Sequence, residues 1–446
     1  MIEISKQVTD AYGVTEEERV RWDRRYRWKW AEASIWTDAM LTALENGVKG
    51  GKWFSLIDKV YRKSALEAAW QKVKANKGAA GVDKITIGRF EKNKVQYLKE
   101  LEQEIKDGTY QTEAVKRVYI PKSQGKMRPL GIPSVKDRVA QQAVKMVLEP
   151  IFEKEFLDMS YGFRPEKGAQ MAISEVDNLI KEGYTWVVDA DLQGYFDSIP
   201  HDKLLEKIQQ RISDGRILEL ISKWLEQEIM EECKTWVPTM GSPQGAVISP
   251  LLSNIYLHDL DVTITKAGYK MIRYADDFVI LTRSQQEAEQ ALDLVRAWVD
   301  ERKLALHPDK THLGNCLVEG EGFEFLGYRF EAGTSWVRRK SIQKFRDRIR
   351  EETSRNCGKS IKAVIAKLNP TLRGWANYFK EVTKYTLGAF DSFVRRRLRA
   401  IMEAQNKRRK FGAGRCNQRI PNKFFADLGL FNMEDFQRQS LASWSR

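Results

Sequence analysis

The chain of 446 residues carries a formal net charge of +14 at pH 7, and its length allows two or three domains with a sizeable core. The sequence contains neither a run of about 18 apolar residues nor a basic-then-apolar leader, so we expect a cytoplasmic protein without a membrane span. Its four cysteines are widely separated and form no Cys-x-x-Cys pair, which argues against a zinc ribbon and fits a reducing compartment.

The basic surplus is concentrated in the last quarter of the chain. Residues 331–446 contain 27 Lys and Arg against 10 Asp and Glu, whereas residues 1–330 contain 48 against 51. This asymmetry predicts a polyanionic partner that binds mainly to the C-terminal region. A solvated basic tail is the alternative, but the aromatic residues spread through the region argue against disorder.

Residues 1–65 are predicted to form an N-terminal helical extension that is rich in arginine, lysine and tryptophan. Within it, residues 21–30 mix cations with Trp22, Tyr26, Trp28 and Trp30. Such side chains can stack on bases and pair with phosphates. An amphipathic helix whose tryptophans cover the neighbouring domain is an equally good interpretation.

A basic loop follows the first predicted strand. The patterns predict helices at residues 65–76, 90–106 and 137–156, and a strand at 115–120. The loop that leaves this strand reads Pro121-Lys122-Ser123-Gln124-Gly125-Lys126-Met127-Arg128-Pro129. Its Lys122 and Arg128 can surround a triphosphate, although most loops of this composition are merely solvated.

Two later segments bring polar groups to the ends of predicted elements. Residues 184–188 are predicted to form a buried strand that delivers Asp191 at its end, and a helical stretch follows from 202 to 229. The turn Gly241-Ser242-Pro243-Gln244-Gly245-Ala246 then opens a helix. Such a turn lets the backbone approach a nucleotide, with Gln244 able to hydrogen-bond the base or sugar; an ordinary helix-entry turn is the alternative.

Adjacent carboxylates lie between two β-prone runs. Lys270-Met271-Ile272-Arg273 and Phe278-Val279-Ile280-Leu281 flank Asp276 and Asp277, which predicts a hairpin with the acidic pair at its tip. Divalent metals need convergent oxygen ligands, and two-metal nucleotidyl transfer needs two ions about 4 Å apart. With Asp191, the pair forms a candidate metal site; taken alone, a polar turn is the simpler interpretation.

The remaining chain is predicted to contain a second hairpin and a helical module. A helix at 292–303 precedes residues 323–330, which alternate like an edge hairpin. From Val337 onward the pattern is mostly helical, with one break at Asn369-Pro370. This order of elements indicates an α+β fold in which a small sheet bears the acidic residues.

Seven sequence motifs follow one another in order. They are Ile120-Pro121-Lys122 through Arg128-Pro129-Leu130-Gly131-Ile132-Pro133; Ser160-Tyr161-Gly162-Phe163-Arg164-Pro165; Asp191-Leu192-Gln193-Gly194-Tyr195-Phe196-Asp197 (motif A); Ser242-Pro243-Gln244-Gly245 through Ser249-Pro250-Leu251-Leu252-Ser253-Asn254 (motif B); Arg273-Tyr274-Ala275-Asp276-Asp277 (motif C); Phe325-Leu326-Gly327-Tyr328; and Leu368-Asn369-Pro370-Thr371-Leu372-Arg373-Gly374-Trp375-Ala376-Asn377-Tyr378-Phe379. Together they resemble the motifs of group II intron reverse transcriptases, also called maturases, from about Trp53 to the C-terminus.

This resemblance implies an α+β right-hand polymerase fold. The fingers and palm, with a small antiparallel sheet, would occupy residues 66–330 after the extension of residues 1–65. An α-helical thumb or maturase domain with a basic nucleic-acid-binding segment would occupy residues 331–446. The final residues, without a His/Asn/Cys cluster, resemble those of the bacterial lineage that lacks an endonuclease.

The resemblance also implies which residues bind metal and nucleotide. Asp191, Asp276 and Asp277, assisted by the Leu192 carbonyl, would hold two Mg²⁺ ions, for which Mn²⁺ could substitute. The nucleotide would contact Lys122 and Arg128 at its triphosphate, Phe196 as a steric gate against a 2′-hydroxyl, Gln244 in its pocket, and Lys310 near the leaving pyrophosphate. Asp189 and Asp197 would have structural or supporting roles.

Primer and template contacts are implied for a further set of residues in the last third of the chain. They comprise a primer grip and basic thumb positions: Phe325, Leu326, Gly327, Tyr328, Arg373, Arg395, Arg396, Arg397 and Arg399. The basic thumb would follow the phosphates of an RNA–DNA duplex.

The implied activity is RNA-directed DNA polymerisation combined with assistance to intron splicing. Its partners would be an RNA template, with intron RNA the expected one, a DNA primer or target, and dNTPs. A domesticated reverse transcriptase serving phage defence, CRISPR adaptation or repair is an alternative, as is a maturase that only folds RNA; the intact aspartates weigh against the latter. The sequence leaves the recognised RNA and the oligomeric state open. Ala246, where relatives carry a second glycine, adds a methyl near the nucleotide.

Overall fold

The chain is folded into two units, each assembled from separate stretches. The structure, a computed structural model, describes residues 16–444 apart from 122–126, 233, 309, 356–357, 383 and 406–417. The first unit holds the described residues up to Gly168, together with Ala190–Phe278 and Ala291–Thr311. The second unit holds Ala169–Asp189, Val279–Gln290 and the described residues from His312 onward.

Helices make up most of the N-terminal third. They are α1 (Glu16–Arg27), α2 (Asp38–Asn46), α3 (Ile57–Val60), α4 (Lys63–Asn76), α5 (Ile87–Lys92), α6 (Lys94–Asp107) and α7 (Val135–Glu153). Most residues of α7 are buried, so this helix lies in the core of the first unit. Its first turn is capped by Ser134, whose hydroxyl accepts a hydrogen bond from the Asp137 amide at 3.0 Å. The helix predicted at 90–106 is two helices, because α5 ends before Asn93 and α6 begins after it.

The tryptophan-rich extension divides into buried and exposed aromatic residues. Trp28 and Trp36 are buried, and the Trp36 indole donates to the Met146 carbonyl of α7 at 3.0 Å. Trp22 and Tyr26 are exposed and stack on each other with ring centroids 5.5 Å apart. Trp28 and Trp36, which follow α1, are therefore enclosed by the fold, while α1 keeps a solvent-facing aromatic pair. Both interpretations of the extension stay predictions.

The strands form three small sheets. They are β1 (Val115–Pro121), β2 (Met127–Ile132), β3 (Trp186–Asp191), β4 (Ile229–Glu231), β5 (Lys234–Trp236), β6 (Lys270–Tyr274), β7 (Asp277–Thr282), β8 (His312–Asn315), β9 (Phe323–Phe325), β10 (Tyr328–Glu331) and β11 (Thr334–Val337). The strand orders are β2-β1-β4-β5, β6-β7-β3-β8 and β11-β10-β9. Antiparallel pairing predominates, but β1 and β4 run parallel.

The second of these sheets carries the acidic residues. In β7 the four residues from Phe278 to Leu281 are fully buried, as expected of a strand covered on both faces. β3 pairs antiparallel with β8, with Trp186 opposite Asn315 and Asp189 opposite His312. The chain passes from one unit to the other within β3 and within β7.

Helices follow the strands throughout the rest of the chain. They are α8 (Ala169–Lys181), α9 (Tyr195–Ser198), α10 (His201–Gln209), α11 (Gly215–Leu225), α12 (Ser249–Lys266), α13 (Gln285–Glu301), α14 (Arg339–Glu352), α15 (Ile361–Tyr378), α16 (Lys384–Gln405), α17 (Asn422–Asp427) and α18 (Met433–Trp444). The chain thus combines helices with small sheets, and the predicted α+β class is confirmed.

The helical stretch predicted from 202 to 229 is mostly helical, but it is divided into α10 and α11, and its last residue begins β4. Buried Asp214 separates the two helices. One of its carboxylate oxygens accepts hydrogen bonds from the amides of Arg216 and Ile217 at the start of α11. The other accepts from the amides of Leu56 and Ile57 at 2.7 and 2.9 Å. A local cap and a distant contact therefore fix the break together.

The break predicted at Asn369-Pro370 is wrong, because α15 continues through Pro370. Pro370 lies on an exposed part of the helix, where water can satisfy the carbonyl that loses its amide partner. Leu368 and Leu372 on either side are fully buried. Packing of this apolar face thus overrides the local preference of proline. Among the helices that the structure describes, none is both long and apolar enough to cross a membrane.

Candidate active site

The predicted acidic hairpin is confirmed and lies next to the strand that ends at Asp191. β6 and β7 flank a short turn formed by Ala275 and Asp276, and β7 neighbours β3 in the sheet. Burial, the main cause, and the negative charge of Asp191 raise the pKa of the Asp276 carboxyl above its ordinary value. The first unit thus brings Asp191 and Asp276 close enough for their charges to interact.

Two cations offset this concentration of negative charge. The ammonium of Lys310 forms an ion pair with the Asp191 carboxylate, and the charges of Arg128 and Lys310 both favour ionisation of Asp276. Among the residues that the structure describes, no three His, Cys, Asp or Glu side chains form a ready metal-binding group. The donors of motifs A and C are nevertheless carboxylate oxygens, which are the ligands that Mg²⁺ prefers.

The backbone around Asp191 is fixed by the segment that precedes Lys310. The Gln193 amide donates to the Ala305 carbonyl and the His307 amide donates to the Asp191 carbonyl, both at 2.8 Å. Leu192, between them, is buried and forms a β-bridge with Leu306. Residues 305–310 therefore both support motif A and supply the lysine that contacts its carboxylate.

A chain of polar side chains connects β2 to motifs A and B. Arg128 donates through Nε to Oε1 of Gln244 at 2.8 Å, and Gln244 donates through Nε2 to Oδ2 of Asp197 at 3.4 Å. Burial raises the pKa of Asp197, while Arg117 and Arg128 lower it. The structure thus brings Arg128 and Gln244 together, whereas Lys122 lies outside the described residues.

A cavity of about 470 Å³ opens beside Gln244 and Asp197. It is also lined by Arg117 and Trp236, whose guanidinium and ring lie 5.1 Å apart. Aromatic faces next to cations suit a stacked base. Its volume falls within the range of sites that hold small organic groups.

Motif B is packed tightly against β2. Gly245 has a positive φ of 109°, and a Cβ at this position would lie 2.4 Å from the Gly131 carbonyl oxygen, so a larger residue is excluded. Ala246 is buried, and its amide donates to the Pro243 carbonyl at 3.1 Å. The methyl that distinguishes this chain at position 246 therefore faces protein that already encloses it.

The second unit contains the predicted primer grip. Leu326 and Gly327, with φ of 48° and 87°, form the two-residue turn between β9 and β10. The Tyr378 hydroxyl of α15 donates to the Leu326 carbonyl at 2.7 Å, and the Tyr328 hydroxyl donates to the Tyr378 carbonyl at 2.6 Å. Phe325 and Tyr328 are fully buried, so they support the turn from within.

The basic residues predicted for the thumb have different surroundings. Arg396 is exposed and Arg395 is partly exposed, whereas Arg397 donates to the carbonyl and hydroxyl of Thr353. Arg399 is buried and donates to the Ile420 carbonyl and to Asn422. Arg373 is exposed and lies 4.6 Å from the Phe431 ring.

The sequence did not predict a role for the buried polar residues behind the acidic hairpin. Arg273 and Asp261 are fully buried and form an ion pair, and Asn254 joins them. Arg273 and Asn254 belong to motifs C and B, so the motifs themselves carried the signal. The linear sequence did not show that these three residues meet behind the turn formed by Ala275 and Asp276.

Two family models match most of the chain. Residues 120–330 match the model described as reverse transcriptase (RNA-dependent DNA polymerase), and residues 342–419 match the model described as group II intron, maturase-specific domain. The two matches follow each other in the order that the sequence motifs predicted.

The chain is also similar to two bacterial proteins. Protein YkfC of Escherichia coli is 34% identical over 338 residues, which is 66% of this chain and 86% of YkfC. The group II intron-encoded protein LtrA of Lactococcus lactis is 39% identical over 208 residues, which is 46% of this chain but only 34% of LtrA.

Among solved structures, a chain described as a partial Cas6-RT-Cas1--Cas2 complex is 25% identical with a TM-score of 0.36. This overlap covers 56% of this chain and 43% of that one. The family assignment depends on the sequence matches. The neighbouring strands β3 and β7, which carry Asp191 and follow Asp276, agree with it. The chain belongs to the group II intron reverse transcriptases, the RNA-directed DNA polymerases that also carry a maturase-specific domain.

Proposed function

We propose that this chain copies RNA into DNA by nucleotidyl transfer at the site that contains Asp191, Asp276 and Asp277. The observation that carries the proposal is that Asp191 ends β3 and Asp276 directly precedes the neighbouring strand β7, in a chain with a reverse transcriptase match. The negative charge of Asp191 contributes to the raised pKa of Asp276. Enzymes of this family use divalent metals, and the carboxylate oxygens fit two Mg²⁺ ions, with the Leu192 carbonyl as a further donor. When bound, these ions supply activation of the primer hydroxyl and neutralisation of phosphate charge.

The chain's own residues supply position and charge. Phosphoryl transfer asks a protein mainly to orient its reactants and to offset their negative charge. Arg128 and Lys310, both acting on the charge of Asp276, are proposed to receive the triphosphate and the leaving pyrophosphate. Lys310 would then exchange its contact with Asp191 for one with a phosphate.

The pocket residues are proposed to select the nucleotide. Phe196 would exclude a 2′-hydroxyl, and Gln244 would line the nucleotide pocket once Arg128 releases its amide. The cavity between Trp236 and Asp197 is proposed to hold the template base, because it adjoins Gln244 and offers an aromatic face beside a guanidinium.

An intron RNA is the proposed partner of the second unit. The maturase-specific match at residues 342–419 and the basic surplus of residues 331–446 support this role over a domesticated one. RNA template, DNA primer and dNTPs are the remaining proposed partners.

Removing the carboxylates tests the proposal. Asp276→Ala with Asp277→Ala should abolish primer extension on an RNA template, a loss of at least about 1,000-fold, while RNA binding measured by filter retention stays within about 2-fold. Asp158→Ala, which removes an exposed carboxylate of the same unit, is the control and should extend primers normally. Extension by the double variant would refute the assignment of these residues.

A further inference from the structure

The turn that carries Asp276 has a backbone conformation that needs external support. Ala275 has a φ of +61°, a region that residues with a side chain rarely occupy and that costs on the order of 1 kcal/mol or more. Ala275 is also buried, so solvent does not compensate its backbone groups. The surrounding protein must therefore hold this turn in place.

Arg273 reaches forward to this turn from within the same hairpin. Its guanidinium is fully buried and donates from Nη1 to the Ala275 carbonyl oxygen at 2.9 Å. That carbonyl belongs to the peptide group that joins Ala275 to Asp276. Arg273 therefore fixes the peptide immediately before the catalytic carboxylate.

The guanidinium is itself oriented by two residues of α12. Asp261 accepts from Nε and Nη2 at 2.7 and 2.6 Å, which is a bidentate pairing. Asn254 accepts from Nη1 through its side-chain carbonyl at 2.9 Å. Residues 254 and 261 are seven apart and so lie on one face of the helix. This face of α12 therefore forms three hydrogen bonds with the Arg273 guanidinium.

Asn254 connects the arginine to a second support of the turn. Its amide nitrogen donates to the Gly162 carbonyl at 2.8 Å. Gly162 lies so close to the turn that a Cβ there would be 2.2 Å from the Ala275 nitrogen and 2.8 Å from the Tyr274 carbonyl carbon. The backbone pairing of Tyr161 with Arg273, at 2.8 Å, holds the same segment against β6.

We infer that Arg273 and Asn254 are positioning residues that set the direction of the Asp276 carboxylate towards the metal ions. This inference rests on the proposed function. An ion pair of purely structural use would be complete with Asp261 alone. Here the same guanidinium also donates to the peptide before Asp276, and Asn254 ties it to the glycine that packs on the turn. Neither residue needs to touch a metal or a substrate.

Arg273→Lys tests this role because it keeps the charge beside Asp261 but loses the planar fork. Residues that orient metal ligands typically change metal affinity by about 10- to 100-fold when they are altered. We expect Arg273→Lys to weaken Mn²⁺ binding to the full chain, measured from the free Mn²⁺ signal in electron paramagnetic resonance, by about 10-fold. The Mg²⁺ concentration for half-maximal extension should rise similarly, while the KM for primer–template stays unchanged.

Arg138→Lys is the matched control. Arg138 is another buried arginine of the first unit, and its guanidinium donates to the carbonyls of Ser134, Lys77 and Ala79 without reaching the hairpin. Its replacement should lower the melting temperature and leave Mn²⁺ binding unchanged. If Arg273→Lys behaves in the same way, losing stability alone, the positioning role is refuted.

Gly162→Ala provides a second test that leaves every hydrogen-bonding side chain in place. The added methyl would press on the Ala275 nitrogen, so it should also weaken Mn²⁺ binding if the turn sets the carboxylate. If Arg273→Lys does not fold, Gly162→Ala alone tests whether the turn sets the direction of the Asp276 carboxylate. An unchanged Mn²⁺ affinity in Gly162→Ala would overturn the inference. Failure of the proposed function itself would look different: Asp276→Ala with Asp277→Ala would then bind Mn²⁺ as tightly as the unaltered chain.

Discussion

Phe196 joins motif A to motif B through its backbone and has little room to move its ring. The Ser242 amide donates to its carbonyl at 2.6 Å, and its ring is buried beside Tyr195, with centroids 5.6 Å apart. This enclosed position of the ring agrees with the proposed exclusion of ribonucleotides.

Phe196→Ala should therefore admit ribonucleotides. We expect the ratio of kcat/KM for a dNTP to that for the matching rNTP to fall by at least about 10-fold, as measured by single-nucleotide incorporation. Phe90→Ala, which removes a buried ring stacked on Trp70 in the same unit, should leave the ratio unchanged. An unaltered ratio in Phe196→Ala would remove the gate role.

Asp137 is a buried carboxyl that the catalytic proposal does not use. It accepts hydrogen bonds from the Tyr110 hydroxyl at 2.5 Å and from Gln227 at 2.9 Å, which join α7 to its neighbours. Burial, partly opposed by these hydrogen bonds, raises its pKa to about 6. The folded chain therefore keeps a proton on Asp137 at pH values where the unfolded chain has lost it.

This raised pKa predicts a pH-dependent stability of definite sign. Between about pH 4 and pH 6 the folded state binds the extra proton, so this group's stabilisation declines as the pH rises and is gone above pH 6, a change of about 2–3 kcal/mol. Asp137→Asn should flatten that decline, even though it lowers stability overall. Urea unfolding at pH 4.5, 5.5 and 6.5 measures the difference, and parallel curves for the two proteins would contradict it.

At the scale of secondary-structure elements, α15 is fastened to the chain near its C-terminus. Asn369 donates to the Gly429 carbonyl at 2.8 Å and accepts from the Phe431 amide at 2.9 Å. Its side-chain amide therefore forms two hydrogen bonds with the backbone of this segment. Asp391 of α16 accepts from the Met433 and Glu434 amides and so caps α18. These contacts secure the segment around α17 and α18 in the second unit.

Asn369→Ala should loosen this attachment. The loss of two hydrogen bonds to the backbone should lower the free energy of unfolding of the second unit by about 1–3 kcal/mol, measured by hydrogen exchange of the amides of residues 429–431. Asn93→Ala removes one exposed contact, to the Arg89 carbonyl, and should change stability by less than about 0.5 kcal/mol. Unchanged exchange at Phe431 would show that the side chain does not secure the segment.

The sequence predicted elements well where the determinants are local. The hairpin around Asp276 could be predicted because β-prone residues fill both strands, and the helix within residues 63–76 because its apolar residues recur at helical spacing. The continuity of α15 through Pro370 could not, because it depends on the burial of Leu368 and Leu372. Nor could the full set of contacts at the start of α11, because Asp214, which caps this helix, also binds amides from residues 56 and 57.

At the scale of the whole chain, the basic surplus is only partly available to a nucleic acid. Arg397 and Arg399 are engaged by Thr353 and by the chain around Asn422, so their removal should cost stability. Arg395 and Arg396 are the more exposed members of this run. Net charge alone therefore overstates the number of phosphate contacts.

The salt dependence of RNA binding separates these two pairs. Arg395→Gln with Arg396→Gln should reduce the slope of log Kd against log salt by about 1–2, since each lost phosphate contact removes about 0.7–0.9. Arg397→Gln with Arg399→Gln should instead lower the melting temperature and leave the slope nearly unchanged. Equal slopes for the first pair and the unaltered chain would show that this run does not bind phosphates.

The motifs predicted which residues belong to the candidate site, and the fold was needed to find what supports them. Carboxylates at strand ends follow a linear pattern, so Asp191 and Asp276 could be chosen from sequence. The partners of Arg273 come from a helix and a loop that are distant in sequence, and no spacing rule connects them. The predicted three-part division at residues 65 and 330 stays a prediction; the second compact unit combines residues after 330 with stretches that precede it.

The antiparallel pairing of β3 with β8 also constrains how far the gene can be shortened. A stop codon just before His312 would spare motifs A, B and C, yet the ribosome would release a product whose Trp186–Asp189 segment has lost its partner. Unpaired amides and carbonyls would then run along the strand that leads to Asp191, and such an edge recruits other polypeptides. A gene remnant of that length would encode an aggregating fragment instead of a minimal polymerase.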